Sequence, residues 1–303
     1  MKPAGGAEQS ERYPESEAAA KLSGGNGTAM MQKRSRDFLF YRDIIGGGQS
    51  GGTPAGRPLK HAANVLRAAG ELVYPRRCPV CDRPVKPAGA LICPECEKLL
   101  RRVQEPVCRR CGKQLRSSFM HFCSDCSSHP HIYERGCAVF TYHSAAGGIF
   151  RFKYKGRQEY GGYYGRCMAE KLEEFAAGPA RPDLLIPVPV SADRLEKRVY
   201  NQAFILAREI SRLTGIPVRE DILRRVTDTL PMKNMAPAER QNNLKRAFQA
   251  FGNDVSLNSI MLIDDIYTTG ATIDACAHAL YERGADRVCF MTLAIGEDSS
   301  DGC

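Results

Sequence analysis

The chain has 303 residues, 43% hydrophobic and 25% charged, a balance typical of a globular protein. It contains no apolar run of about eighteen residues and opens without a basic segment leading into an apolar core, so neither a transmembrane helix nor a secretory signal is expected. Forty-three basic against 34 acidic residues give a formal net charge of +9, which permits an anionic partner without choosing one.

Residues 1–57 are rich in Gly, Ser, Glu and Ala and read as a mostly disordered tail. Its apolar patch, Phe38 to Tyr41, reads as a transient cluster. Apolar residues Ala62, Val65, Leu66, Ala69 and Leu72 recur at helical spacing and predict a short helix over 61–72. Eight of the 13 cysteines then follow as four Cys-x-x-Cys pairs: Cys78/Cys81, Cys93/Cys96, Cys108/Cys111 and Cys123/Cys126. That spacing reads as metal knuckles rather than a disulfide framework. With no secretory signal, a reducing cytoplasm is the expected location.

Two facing knuckles supply four thiolates in a tetrahedron, which suits structural Zn²⁺ and leaves no open position for a catalytic water. Eight thiolates make two such sites. Sequential pairing is the simplest, and an interleaved pairing satisfies the same spacing. A redox Cys-x-x-Cys would stand alone, and iron–sulfur spacings differ. Gly112 fits a knuckle turn that needs a small residue. His121, His129 and His131 read as surface residues, because the thiolate set is complete without them. Arg101, Arg102, Arg109 and Arg110, with Lys98, Lys113 and Arg116, form a candidate nucleic-acid surface. A solvated face that balances thiolate charge is the competing reading.

Beyond Gly136 the pattern changes. Strands are expected at 138–142, 183–190, 260–263 and 287–295. Helices are expected over 159–177, 201–213 and 271–283, with Gly215 and Gly284 as stops. Alternating strands and helices imply a parallel sheet covered on both faces, with ligands beyond the carboxyl ends of its strands.

The most informative run is Ile260 to Thr272. Four apolar residues make a buried strand, Asp264 and Asp265 end it, and Tyr267, Thr268, Thr269, Gly270, Ala271 and Thr272 turn into a helix N-terminus. A small-residue loop entering a helix cradles a phosphate on backbone N–H groups. The adjacent carboxylates suit ribose hydroxyls or a divalent cation. Together they describe a site for a sugar phosphate.

This run resembles the PRPP-binding motif of type I phosphoribosyltransferases. Four zinc knuckles ahead of it resemble the ComF family, whose members include competence proteins for DNA uptake. Further landmarks are Val73-Tyr74-Pro75, Phe152 to Gly156, Ile186-Pro187-Val188-Pro189, Arg198 to Gln202, and Arg240 with Asn243, Ala247 and Phe248. Val199 stands where the family usually has Gly, and Met232 where a Gln is common.

The resemblance implies an α/β fold: a parallel sheet of the type I phosphoribosyltransferase kind, preceded by a small Cys-rich zinc-ribbon module. The expected domains are a tail at 1–57, a helix plus double ribbon at 58–132 and a phosphoribosyltransferase-like domain at 133–303. It further implies the 5′-phosphate on residues 267–272, the ribose hydroxyls on Asp264 and Asp265, Mg²⁺ accompanying PRPP, and pyrophosphate near Arg194, Lys197, Arg198, Asn201 and Lys153. The expected function is an accessory of DNA uptake, acting with single-stranded DNA or a competence helicase. The alternatives are a phosphoribosyltransferase of nucleotide metabolism and a PRPP sensor without turnover.

Overall fold

The computed structural model describes residues 75–87, 89–176, 181–226, 247–252 and 258–297. The tail, the helix at 61–72, Met232 and the Arg240–Asn243 landmark lie outside the described residues.

Two short helices, α1 (Pro94–Glu97) and α2 (Ser124–Ser128), start directly after Cys93 and Cys123, one in each ribbon. The remaining elements are β1 (Gly136–Thr141), α3 (Tyr142–Tyr154), α4 (Tyr160–Phe175), β2 (Leu184–Pro187), α5 (Ala192–Arg198), α6 (Gln202–Thr214), β3 (Leu223–Arg225), β4 (Phe248–Ala250), β5 (Ser259–Tyr267), α7 (Ala271–Glu282) and β6 (Arg287–Ile295). The expected α/β fold with a parallel sheet is present. Four strands pair in parallel in the order β1-β6-β5-β2, and β3 and β4 form a separate antiparallel pair.

These strands are apolar nearly throughout, as a sheet buried on both faces requires. Alternate residues face opposite sides. Met261 and Ile263 join a core with α3, α4 and α6, while Ile260 and Leu262 join another with Ile273, Cys276 and Leu280 of α7. The ribbons divide between these cores. Cys78, Val85 and Ile92 of the first enter the α3/α4/α6 side; Cys108, Cys111, Leu115 and Cys123 of the second enter the α7 side. Cys137, Cys167, Cys276 and Cys289 are buried core residues.

The free edge of β1 is covered by the segment joining the ribbons. Val103 N–H donates to the Val139 carbonyl, and Thr141 N–H donates to the Arg101 carbonyl, 2.9 Å each. At the other edge, Leu185 bridges in parallel to Val218.

Two expectations change. Residues 142–154 form a helix not anticipated from the sequence, and it delivers Lys153 to the site. β5 does not stop at Ile263. It runs to Tyr267, pairing Asp264 with Thr292 and Tyr267 with Ile295, so the two acids lie within the strand.

Candidate functional site

The eight knuckle cysteines resolve into two clusters, Cys78/Cys81/Cys93/Cys96 and Cys108/Cys111/Cys123/Cys126, each with its sulfurs within 4.8 Å of one another. The pairing is therefore sequential. A tetrahedron with Zn–S bonds of about 2.3 Å places its sulfurs roughly 3.8 Å apart, so these sets have the span zinc needs. The Cys111–Cys123 sulfur separation is 3.6 Å. Burial, and then hydrogen bonds with Cys81 and Cys78, push the Cys96 thiol up to about 12, a crowding that a bound dication relieves. The residue after each leading knuckle is left-handed: Asp82 at φ 57° and Gly112 at φ 78°. A Cβ on Gly112 would stand 2.7 Å from the Cys137 Cα, so this glycine is what lets the second ribbon lie against β1.

The basic residues of the ribbons do not form one free patch. Lys113 is buried and paired with Asp125 at 2.6 Å. Arg102 pairs with Glu170 at 2.8 Å. Arg110 donates Nη1 to the carbonyls of Tyr133 at 2.7 Å and Glu134 at 3.2 Å. Arg101 and Arg109 are exposed. Arg101, Arg102 and Arg116 line a cavity of ≈ 870 Å³ with Thr141 and Gly296, at the carboxyl ends of β1 and β6.

The same end of the sheet carries the acids. Asp265 is buried and its Oδ1 lies 2.8 Å from Lys153 Nζ, so the lysine expected at the pyrophosphate holds a carboxylate here. The Asp264 carboxylate accepts the Asp265 backbone N–H at 2.8 Å. Burial first, and the Asp265 charge second, push the Asp264 carboxyl up to about 7, against the pull of Lys153 and Arg198. The pair is thus unequal: one acid has a cation, and its neighbour holds its negative charge reluctantly.

Thr268 and Thr269 follow, both exposed, then Gly270 at φ 80° as the N-cap of α7, with Ala271 and Thr272 partly buried in its first turn. The Tyr267 side chain lies beneath the loop. Its ring stacks on Phe290 at 4.8 Å, and its hydroxyl meets that of Tyr133 at 2.6 Å. A Cβ on Gly270 would come within 2.5 Å of that hydroxyl, so both backbone angle and space demand glycine.

Of the pyrophosphate candidates, Arg194 and Lys197 are exposed on α5. Arg198 donates Nη2 to the Tyr154 hydroxyl at 2.9 Å. Asn201 caps α6, accepting the Ala203 N–H at 3.0 Å, and donates to the Val188 carbonyl at 3.1 Å. Val199 takes the left-handed angle, φ 70°, that a glycine would favour.

Sequence reasoning missed His131, read as a surface residue. Its side chain is 4% exposed, and Nδ1 lies 2.6 Å from Asp274 Oδ2. No local periodicity signals a contact made 143 positions away along the chain.

A family model, the double zinc ribbon domain, matches residues 69–139. Competence protein F of Haemophilus influenzae is 33% identical over 115 residues, covering 37% of this chain and 50% of that protein. Competence protein ComFC of Bacillus subtilis is 29% identical, covering 48% and 58%. This chain is similar to ComF-type competence proteins. The DNA utilization protein YhgH of Salmonella typhi is also similar to this ComF-like chain, at 25% identity over 55% of this chain and 74% of that one. The chain thus spans only half to three-fifths of the first two relatives. A purine phosphoribosyltransferase from Pyrococcus horikoshii aligns at a TM-score of 0.27 and 17% identity, covering 44% of this chain and 71% of its own, too loosely to bear on the argument. Among the described residues no helix is long and apolar enough to cross a membrane.

Proposed function

We propose that this ComF-like chain binds PRPP with Mg²⁺ at the junction of β5 and α7 and serves in the handling of incoming DNA. The observation that carries the reading is the continuity of one segment: two acids in β5, two exposed threonines, a left-handed Gly270, and the N-terminus of α7. Backbone N–H groups there favour an anion, as the 5′-phosphate requires. Mg²⁺, bound with PRPP, would be held by the Asp264 and Asp265 oxygens and would supply charge to offset the pyrophosphate. Lys153 balances Asp265 until hydroxyls or the cation take that carboxylate over. Arg194 and Lys197 have free reach for the pyrophosphate, whose departure is the step that needs positive charge.

The names of two relatives, a competence protein and a DNA utilization protein, support a role with DNA. So do Arg101, Arg109 and the exposed Phe119 and Phe122 on the ribbons, although Arg102 and Arg110 are already engaged. Single-stranded DNA is the favoured partner, with a helicase as the protein alternative. A PRPP sensor without turnover is the second reading, favoured by Asn201 serving as a cap and by Val199 holding a strained angle beside the candidate pyrophosphate site.

Calorimetric titration with PRPP and Mg²⁺, followed by a pyrophosphate-release assay, tests both. Binding with release supports an enzyme; binding without release supports the sensor. No heat at millimolar PRPP ends the proposal. For DNA, affinity should fall with salt and fall again when Arg101 and Arg109 become Ala.

A further inference from the structure

We propose that His131, carried on the segment leaving the second zinc ribbon, is a positioning residue for the phosphate loop. The inference rests on the reading of residues 268–272 as the phosphate seat.

The contacts run in one direction. Arg110, between the zinc ligands Cys108 and Cys111, donates to the carbonyls of Tyr133 and Glu134 and, at 3.5 Å, to that of His131. The segment so pinned presses two rings under the loop. His131 Nδ1–H donates to Asp274 Oδ2 at 2.6 Å, and the Ile132 N–H donates to Asp274 Oδ1 at 3.0 Å, so both oxygens of this first-turn residue of α7 are held. Tyr133 stacks on His131 at 4.8 Å and meets the Tyr267 hydroxyl at 2.6 Å. Gly270 rests on the rings of His131 and Tyr267: a Cβ there would lie 2.8 Å from His131 Cε1 and 2.5 Å from the Tyr267 hydroxyl.

A ring needed only as filler could be apolar. This one is tied by Nδ1 to the helix that the loop enters, while its Nε2 is buried without a partner. An unpaired buried nitrogen is costly. The strut therefore sets where Gly270 and the first N–H groups of α7 stand. Those groups must be in place before an anion arrives, because a loop that must first be ordered binds more weakly.

The test uses full-length, zinc-loaded protein, with PRPP and Mg²⁺ as the probe. His131→Ala should weaken PRPP binding at least tenfold while two zinc ions per chain remain. It should also speed amide exchange in a peptide spanning 266–273, leaving β2 unchanged. His131→Asn returns a donor to Asp274 and should recover affinity to within about threefold of the parent. Should His131→Ala fail to fold, Tyr133→Phe, which removes one hydroxyl, should weaken binding about threefold and loosen the same peptide. Parent-like affinity in the Ala variant, or in Tyr133→Phe if that variant takes its place, overturns the inference and leaves the phosphate seat intact. So does an Asn variant as weak as Ala. Zinc loss accompanying the weakening also overturns it, since ribbon integrity would then be the cause. A parent protein that ignores PRPP overturns both readings together.

Discussion

Asp264→Asn should stabilise this protein at pH 8 and do almost nothing at pH 4. The Asp264 carboxyl is pushed up to about 7, from an ordinary value of 3.8, by burial and then by Asp265. Between those values the unfolded chain has released its proton while the folded chain keeps it. Stability contributed by this group therefore falls as pH rises from about 4 to 7 and is flat above that. At about 1.4 kcal/mol for each unit, the ceiling is about 4 kcal/mol lost above pH 7. The residue keeps some exposed surface, so water returns part of this, and about 2 kcal/mol is the expected gain from asparagine at pH 8. The amide oxygen can still accept the Asp265 N–H, so that bond is not sacrificed. Urea unfolding of parent and variant at pH 4 and pH 8 isolates the effect. Groups titrating elsewhere cancel, such as Asp221, held down to about 2 by the Arg219 guanidinium. A variant less stable than the parent at pH 8, or a difference equal at both pH values, refutes the argument. The same variant should lose PRPP and Mg²⁺ binding, since a residue that costs stability when charged is retained for what it binds.

Lys153→Met leaves the buried Asp265 carboxylate without its cation and should cost about 3–5 kcal/mol in denaturant unfolding at pH 8. Adding Asp265→Asn should recover much of that loss; a double variant no better than the single would deny that the pair is coupled. Gly270→Ala should cost about 1–2 kcal/mol from the left-handed angle alone, with more from the Tyr267 hydroxyl, and should abolish PRPP binding by calorimetry. An Ala variant that binds normally would mean the loop is not built as described. Val199→Gly relieves about 1–2 kcal/mol of left-handed strain against about 0.5–1 kcal/mol of glycine entropy, so thermal melting should rise slightly. A lower melting temperature would show that the half-exposed Val side chain matters more than its backbone.

What could be read in the sequence were features whose causes are local. The apolar runs of β2, β5 and β6 declare buried strands because a sheet covered on both faces excludes polar side chains. Cys-x-x-Cys declares a knuckle because one short turn brings its two sulfurs to one ion. The step from Asp265 to Gly270 declares a strand, a loop and a helix start in succession. Helix α3 was missed because Gly147 and Gly148 break its helical pattern. Gly148 is there for packing, since a Cβ would stand 2.2 Å from the Tyr164 hydroxyl and 2.4 Å from the Pro79 carbonyl of the first ribbon. The length of β5 was missed because two acids look like an exposed end. In the structure they continue the ladder beside Thr292, with Lys153 making the burial of one tolerable. His131, Tyr133 and Asp274 were invisible as a group, because their meeting follows only from docking the second ribbon on the α7 face.

The placement of the ribbons explains why a metal module precedes this sheet at all. The first ribbon seats on the start of α4 through Asp82, which takes Arg157 just ahead of that helix at 2.9 Å and the Tyr160 hydroxyl at 2.6 Å, and on α3, which carries Lys153, through the Pro79 and Val80 carbonyls, which accept from Arg151 at 3.1 and 2.6 Å. The second contributes Cys108, Cys111 and Cys123 to the core that also holds Tyr267 and Ile273. One ribbon thus supports the face from which Lys153 reaches Asp265, and the other supports the loop that follows it. Each is too small to hold a core without its ion, and folding energy in such modules is largely metal-binding energy. With zinc in both clusters, removing it by chelation should loosen both sides of this one strand tip, read as faster amide exchange around Lys153 and in residues 266–273.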